Sequence, residues 1–327
     1  MRARLFSAAL TALATAAVLG GGAPARACDS SSCALVTRGG GATLPKGALR
    51  LDLSFRYADQ TRAFAGGEPI GSVLRPKVDF EHGLILAGYH REVGGRERFL
   101  QCDLAYGVTS RATALVSLPL LTERSYDISH GGSFEQSTRT RGAGDLLLGV
   151  QYGVLTGPAQ KLVARAAVKA PTGNYKLIST FDHTINEPTL QPGTGSVDFV
   201  GAADFSRQGV LGLDWTVSGS YQLNTANDLD YRFGDDAIAS IGVSRGVVGR
   251  LSGSFQVKYW HKGRSAFLGG PVPSTGGTLV YLTPGLQLAA PARMSAYAFV
   301  QVPAYRYVNE AQLTPSVALL LGWSKTF

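Results

Sequence analysis

Residues 210–224 read Val-Leu-Gly-Leu-Asp-Trp-Thr-Val-Ser-Gly-Ser-Tyr-Gln-Leu-Asn. Leu211, Leu213, Trp215, Val217, Gly219, Tyr221 and Leu223 alternate with Gly212, Asp214, Thr216, Ser218, Ser220, Gln222 and Asn224. Successive side chains of a strand point to opposite faces, so this stretch has one apolar and one polar face. Two other stretches repeat the pattern. Leu49, Leu51, Leu53, Phe55 and Tyr57 alternate with Arg50, Asp52, Ser54 and Arg56; Leu251, Gly253, Phe255, Val257 and Tyr259 alternate with Ser252, Ser254, Gln256, Lys258 and Trp260.

About twelve such segments follow one another, near 48–58, 98–107, 111–121, 143–154, 160–170, 196–206, 210–224, 236–246, 249–260, 278–289, 293–304 and 313–327. Ten to fifteen residues suits a tilted strand crossing a bilayer and is long for a soluble sandwich. Tight turns at 107–110, 156–160, 206–209, 245–249 and 289–292 alternate with longer polar loops near 59–97, 122–142, 171–195, 225–235, 261–277 and 305–312. The expectation is an all-β fold: an antiparallel transmembrane β-barrel of about 12 strands, with short periplasmic turns and long extracellular loops. Leu84 to Tyr89, inside the first long loop, reads equally as an extra strand, a surface hairpin or a short helix. Aromatics that end the apolar faces (Tyr57, Tyr106, Tyr152, Tyr221, Tyr259, Trp323) fit interfacial girdles. The last segment alternates Val317, Leu319, Leu321 and Trp323 into a terminal Phe327, like the assembly signal of Gram-negative barrels, although Lys325 breaks the apolar series.

Residues 1–27 read as a cleaved signal peptide: Arg2 and Arg4, an apolar Leu5 to Gly20, and Ala25-Arg26-Ala27 at the cut. Losing those three arginines lowers the formal charge from +8 to +5, which concerns solubility rather than a partner. Residues 28–47 form an N-terminal periplasmic or lumen segment, and 48–327 the barrel. The expected place is the Gram-negative outer membrane. The expected partners are its lipids and lipopolysaccharide, the barrel-assembly machinery during biogenesis and a small-molecule solute, with no nucleic acid. After the leader no stretch approaches the 18 apolar residues of a helical span.

Tyr106-Gly107-Val108-Thr109, Leu118-Pro119-Leu120, Gly142-Ala143-Gly144-Asp145-Leu146 and Ala170-Pro171-Thr172-Gly173 occur in that order, followed by Glu187-Pro188, Leu190-Gln191-Pro192-Gly193-Thr194-Gly195-Ser196 and Asp198. Over residues 48–327 the chain resembles the bacterial family labelled for the MetA pathway of phenol degradation. The resemblance implies an outer-membrane barrel for uptake of aromatic or other small compounds, and it carries over no binding residues. Taken by themselves, the glycines and prolines punctuate strand ends and loops. Gly142-Ala143-Gly144 lacks the lysine-serine pair and helix of a phosphate cradle.

Polar positions in the strands define the lumen. Arg50, Asp52, Arg56, Asp103, Asp145, Arg165, Lys169, Asp198, Asp204, Asp214 and Lys258 fall on inward faces and are the selectivity candidates, because a charge facing hydrocarbon costs about 2–4 kcal/mol at mid-membrane. Charges of both signs in a narrow lumen pair up, which suits a plug as well as a path. Cys28 and Cys33, just after the leader, suit a disulfide, free thiols or a soft-metal site. Cys102 alternates with Leu100 and Leu104 and is read as lipid-facing. His82, His90, His130, His183 and His261 lie in or beside the long loops, where they form a metal- or pH-sensitive constriction or are plain surface residues. No Ser/His arrangement of a hydrolase occurs, so no enzyme and no cofactor are expected. The functional expectation is a passive channel for small solutes, aromatic or hydrophobic compounds among them. The alternatives are a non-transporting structural or surface barrel with an N-terminal metal-binding segment, and a lipid-modifying barrel enzyme. About 300 mature residues cannot supply a 22-stranded barrel and its plug, so energy-coupled uptake is not expected.

Overall fold

A computed structural model of the chain describes residues 42–129, 135–180 and 182–327. The leader, Cys28, Cys33 and His130 lie outside the described residues. Twelve antiparallel strands close into a barrel. They are β1 (Leu49–Gln60), β2 (Leu84–Gly107), β3 (Ala112–Ser129), β4 (Leu146–Thr156), β5 (Gln160–Ala170), β6 (Asp198–Val210), β7 (Leu213–Leu223), β8 (Asp236–Val248), β9 (Leu251–Lys262), β10 (Gly277–Ala290), β11 (Met294–Thr314) and β12 (Val317–Thr326). Each pairs with its neighbours in sequence, and β12 returns to β1 with Arg50 opposite Thr326 and Asp59 opposite Val317. No sheet edge is left in the wall, as a bilayer requires.

Strand length differs with the side of the barrel. On the short-turn rim, 108–111, 157–159, 211–212, 249–250 and 291–293 connect the strands. On the long-loop rim, β2, β3 and β11 run 24, 18 and 21 residues, well beyond one crossing. Leu84 to Tyr89 is therefore neither helix nor separate hairpin: it is the outer end of β2, paired with Val73–Asp79. Residues expected as loops at 122–129 and 305–312 are likewise strand, and Glu135–Gly142 pairs with the outer part of β3. Two short strands, Arg62–Gly66 and Glu68–Ile70, continue from β11, and Tyr231–Arg232, Ala266–Phe267 and Gly270–Pro271 form a small sheet of their own. That sheet buries Tyr231, Phe267 and Val272 with Val78.

The turn expected at 206–209 sits instead at Leu211-Gly212, both at positive φ (57° and 72°), with Val210 opposite Leu213. This is the twist-matched two-residue hairpin. A bulge between Arg207 and Val210, with Gly209 at φ 73°, absorbs the displaced residue.

Outward faces are apolar and exposed, as at Leu53, Leu148, Val150, Val217 and Phe255, while inward neighbours such as Asp52, Asp214 and Ser218 are buried. Cys102 lies on the outward face with Leu104, since the alternate positions beside them, Asp103 and Ala105, are buried. Tyr106, Tyr152, Tyr221, Tyr259 and Trp323 are exposed near the strand ends. At the short-turn rim the Leu44 N–H donates to Thr113 Oγ1 (2.9 Å) and the Gly47 N–H to the Gly107 carbonyl (2.8 Å), so residues 42–47 pack beside the lumen entrance.

Candidate functional site: the lumen

The short-turn half of the lumen is packed. Register places Asp52 directly opposite Asp103, two carboxylates on one face. Tyr297 donates its hydroxyl to Asp52 Oδ1 (2.9 Å), and Gln101 Nε2 donates to Asp103 Oδ1 (2.8 Å). Arg50 is buried in the same layer, and Arg165 stands 4.0 Å from Asp204. The aromatics fit because the wall has glycine where they lie. A Cβ on Gly322 would come within 2.0 Å of the Tyr297 ring, and one on Gly285 within 2.2 Å of Phe299. Tyr297, Phe299 and Leu320 form the one apolar cluster of this layer among the described residues. Asp214 caps its bottom by accepting the Gly209 N–H (3.1 Å).

Above this layer the lumen opens into a cavity of about 530 Å³. Arg56, Asp145, Lys169 and Lys258, four of the sequence candidates, line it. Asp198, fully buried, ion-pairs with Lys169, which also stands 3.3 Å from Asp145. Asp145 has a second task. Its Oδ1 accepts the Gly173 N–H (2.9 Å), and its Oδ2 accepts the Thr194 N–H and hydroxyl (both 2.8 Å). The motifs at 142–145, 171–173 and 191–196 therefore meet at one carboxylate that pins the 171–197 loop into the lumen. The crossing is tight: a Cβ on Gly193 would lie 2.4 Å from the Gly173 carbonyl oxygen. Arg124 Nη1 donates to the Thr189 carbonyl (2.8 Å) of the same loop.

The cavity wall also carries residues outside the sequence candidates. Phe99 lies between Arg56 and Arg124, each guanidinium 5.4 Å from its ring centre, and Glu97 stands 3.9 and 3.6 Å from the two arginines. Lys258 sits 5.1 Å over Tyr281, and Lys262 pairs with Asp236 (3.3 Å), which accepts the Trp260 indole N–H (3.0 Å). Phe99 escapes a reading of hydrophobic periodicity because an apolar residue on a barrel strand is assigned to lipid. Arg124 and Tyr126 escape it because β3 carries a bulge at Leu120, opposite Leu100 and Gln101, which exchanges inward and outward positions above it. Pro119 in Leu118-Pro119-Leu120 was the available signal, since proline within a sheet marks bulges.

Beyond the membrane-crossing part, Arg75, His90, Glu92 and Glu187 form a buried cluster, and Lys77, Tyr89, Thr184 and Asp182 form a second network beside it. Burial opposes ionisation of Asp182, but donors from Lys77, Tyr89 and Ser179 hold it well below the usual carboxylate range. Burial, with that carboxylate, pushes the Tyr89 phenol up to about 12. Among the described residues the histidines do not gather: His82 contacts Asp79 (2.9 Å) and His261 contacts Thr278 (2.9 Å).

Comparison with known proteins defines the class. Residues 104–302, more than half of the chain, match the family "Putative MetA-pathway of phenol degradation", and the chain belongs to that family. Its fold is that of a solved COG4313 outer membrane channel from Pseudomonas putida F1, at 14% identity, covering 88% of this chain and 97% of that one with a TM-score of 0.58. More distantly similar are a Pseudomonas aeruginosa FadL homologue (11% identity, 93% and 99% covered, TM-score 0.41) and the Pseudomonas putida toluene transporter TodX (11%, 93% and 96%, 0.41). No curated protein sequence matches the chain.

Proposed function

We propose that the protein is an outer-membrane channel for passive diffusion of small solutes, with single-ring aromatic compounds among them. The carrying observation is the closed barrel, apolar outside, whose lumen widens into a 530 Å³ cavity lined by paired charges and by Phe99, Tyr281 and Trp260. That volume is in the range of small-molecule sites. Aromatic faces beside guanidinium groups suit flat polar rings better than aliphatic chains. The family's phenol label agrees with this. Selectivity falls to the inward charges of the cavity, Arg56, Lys169 and Lys258 with Asp145 and Asp198, and to Phe99. Arg50, Asp52, Asp103, Arg165, Asp204 and Asp214 form the lower gate, which must rearrange for a solute to pass. The short-turn rim is periplasmic and the long loops face outward, with lipid and lipopolysaccharide around the wall. The chain performs no catalysis in this account.

The packed lower layer favours a second reading, a non-transporting barrel. A liposome-swelling series over sugars, amino acids and phenols separates the two: swelling with phenols supports the channel, and a folded barrel with no swelling for any solute supports the second reading. Topology has its own test. Epitope tags within 171–195 or 261–277 are expected to bind antibody on intact cells, whereas tags at 157–159 or 211–212 bind only after the outer membrane is opened. The reverse pattern contradicts the orientation.

A further inference from the structure

The buried cluster at the outer end of the lumen wall borders the 530 Å³ cavity through Arg75 and Glu92, while His90 and Glu187 lie behind them. His90 and Glu92 are two residues apart on β2 and therefore share a face. Glu187 arrives from the 171–197 loop, directly before Pro188, and the loop around it is fixed by the Asn186 N–H to the Leu177 carbonyl (2.9 Å) and by Gln191 to the Asn186 carbonyl (3.0 Å). The three side chains are buried, and one ligand atom from each lies within 4.8 Å of the others.

We propose that His90, Glu92 and Glu187 bind one divalent transition-metal ion of the zinc type, tying the 171–197 loop to the barrel wall. Distances carry the argument. His90 Nε2 is 3.3 Å from Glu92 Oε1 and 3.3 Å from Glu187 Oε1. The His90–Glu92 contact is itself a long hydrogen bond, beyond the about 2.7–2.9 Å of close charge-assisted ones. A tetrahedral ion with bonds of about 2.0–2.1 Å to nitrogen and oxygen holds its ligand atoms about 3.3–3.4 Å apart; the two separations from His90 match this, and the carboxylate oxygens lie within 4.8 Å of each other. Arg75 stands back in the same way: Nε is 3.5 Å from Glu92 Oε1 and Nη2 is 3.9 Å from Glu187 Oε2, while Nη1 donates to the Ser274 carbonyl (2.9 Å). Its charge tempers the affinity, yet it also favours two ionised carboxylates, the form a metal needs.

Beside His90 and Glu187 lies a cavity of about 40 Å³, bordered also by Lys77, Tyr89 and Asp182 and large enough for a water. One imidazole and two carboxylates, with no thiolate, suit zinc or its first-row neighbours rather than a soft ion.

The test is a zinc titration of the full detergent-solubilised barrel against a chromophoric competing chelator, after stripping, in a background with Cys28→Ser and Cys33→Ser. The expected result is one equivalent per barrel, weakened about tenfold or more by His90→Ala and by Glu187→Gln, and unchanged by His261→Ala. Zinc is further expected to slow tryptic cleavage at Lys176 in the parent and not in Glu187→Gln. Heat-modifiable gel mobility reports folding, and Glu187→Gln decides if His90→Ala does not fold. Absence of a saturable equivalent in the parent, or unchanged binding in the variants, overturns the proposal and leaves the cluster a proton-linked ion-pair network.

Discussion

Val217→Arg is expected to leave little or no folded barrel, whereas Thr216→Arg folds with a reduced yield. Val217 is at the middle of β7, on the exposed face, between Phe205 of β6 and Ile241 of β8. Near the midplane an arginine facing lipid costs about 2–4 kcal/mol, a large share of the stability of a domain. Thr216 points the other way, on the face of Asp214 and of Ser218, whose hydroxyl meets that of Ser240 (2.6 Å). An arginine there has polar neighbours and the carboxylate of Asp214, so its penalty is crowding rather than desolvation. Heat-modifiable mobility reads folding. In a salt gradient the folded Thr216→Arg channel is expected to shift its reversal potential toward anions. Equal folding of the two variants contradicts the assigned faces of the wall.

Asp145→Ala is expected to release the 171–197 loop from the lumen. The carboxylate accepts three hydrogen bonds from Gly173 and Thr194 and stands 3.3 Å from Lys169. Hydrogen bonds to a charged group contribute about 1.5–3 kcal/mol each, and removing one side of a buried pair costs about 3–5 kcal/mol. The barrel wall does not depend on this residue, so the strands remain paired while the loop loses its anchor. Two consequences follow. Trypsin cuts at Lys176 at least tenfold faster, and single-channel conductance rises severalfold because Gln191 to Thr194 leave the cavity wall. Unchanged proteolysis and unchanged conductance contradict the role given to Asp145 and to the glycine crossing at Gly173 and Gly193.

Most of the wall was readable from alternation alone, because a charged residue facing lipid near the midplane is costly. Leu49 to Tyr57 and Leu213 to Leu223 show why: each second residue is committed to hydrocarbon, and the register follows. The reading loses its grip at bulges. At Leu120 in β3 and at Ala304 in β11 one extra residue exchanges the two faces, so Arg124, Tyr126 and Arg306 turn inward against the period below them. Above the membrane the constraint vanishes, and with it the signal. The outer ends of β2, β3 and β11 pass for loops because both faces carry polar side chains, the inward ones such as His90 and Glu92 being buried under the loops. The lumen charges of the candidate set were visible as polar residues in apolar strands. Glu187 and His90 were not visible as partners, since they lie about a hundred residues apart and only the fold of the 171–197 loop brings them together. Asp145 was visible, but as a selectivity residue; its hydrogen bonds to Gly173 and Thr194 make it an anchor first.

The central claim, that a solute path runs through this barrel, is tested most directly by the purified wild-type barrel in a planar lipid bilayer. Discrete conductance steps are expected, with an ion preference that shifts toward cations when Lys258 and Arg56 are replaced by glutamine, because both line the 530 Å³ cavity. A barrel that is folded by heat-modifiable mobility, inserts and yet shows no steps at any voltage contradicts it.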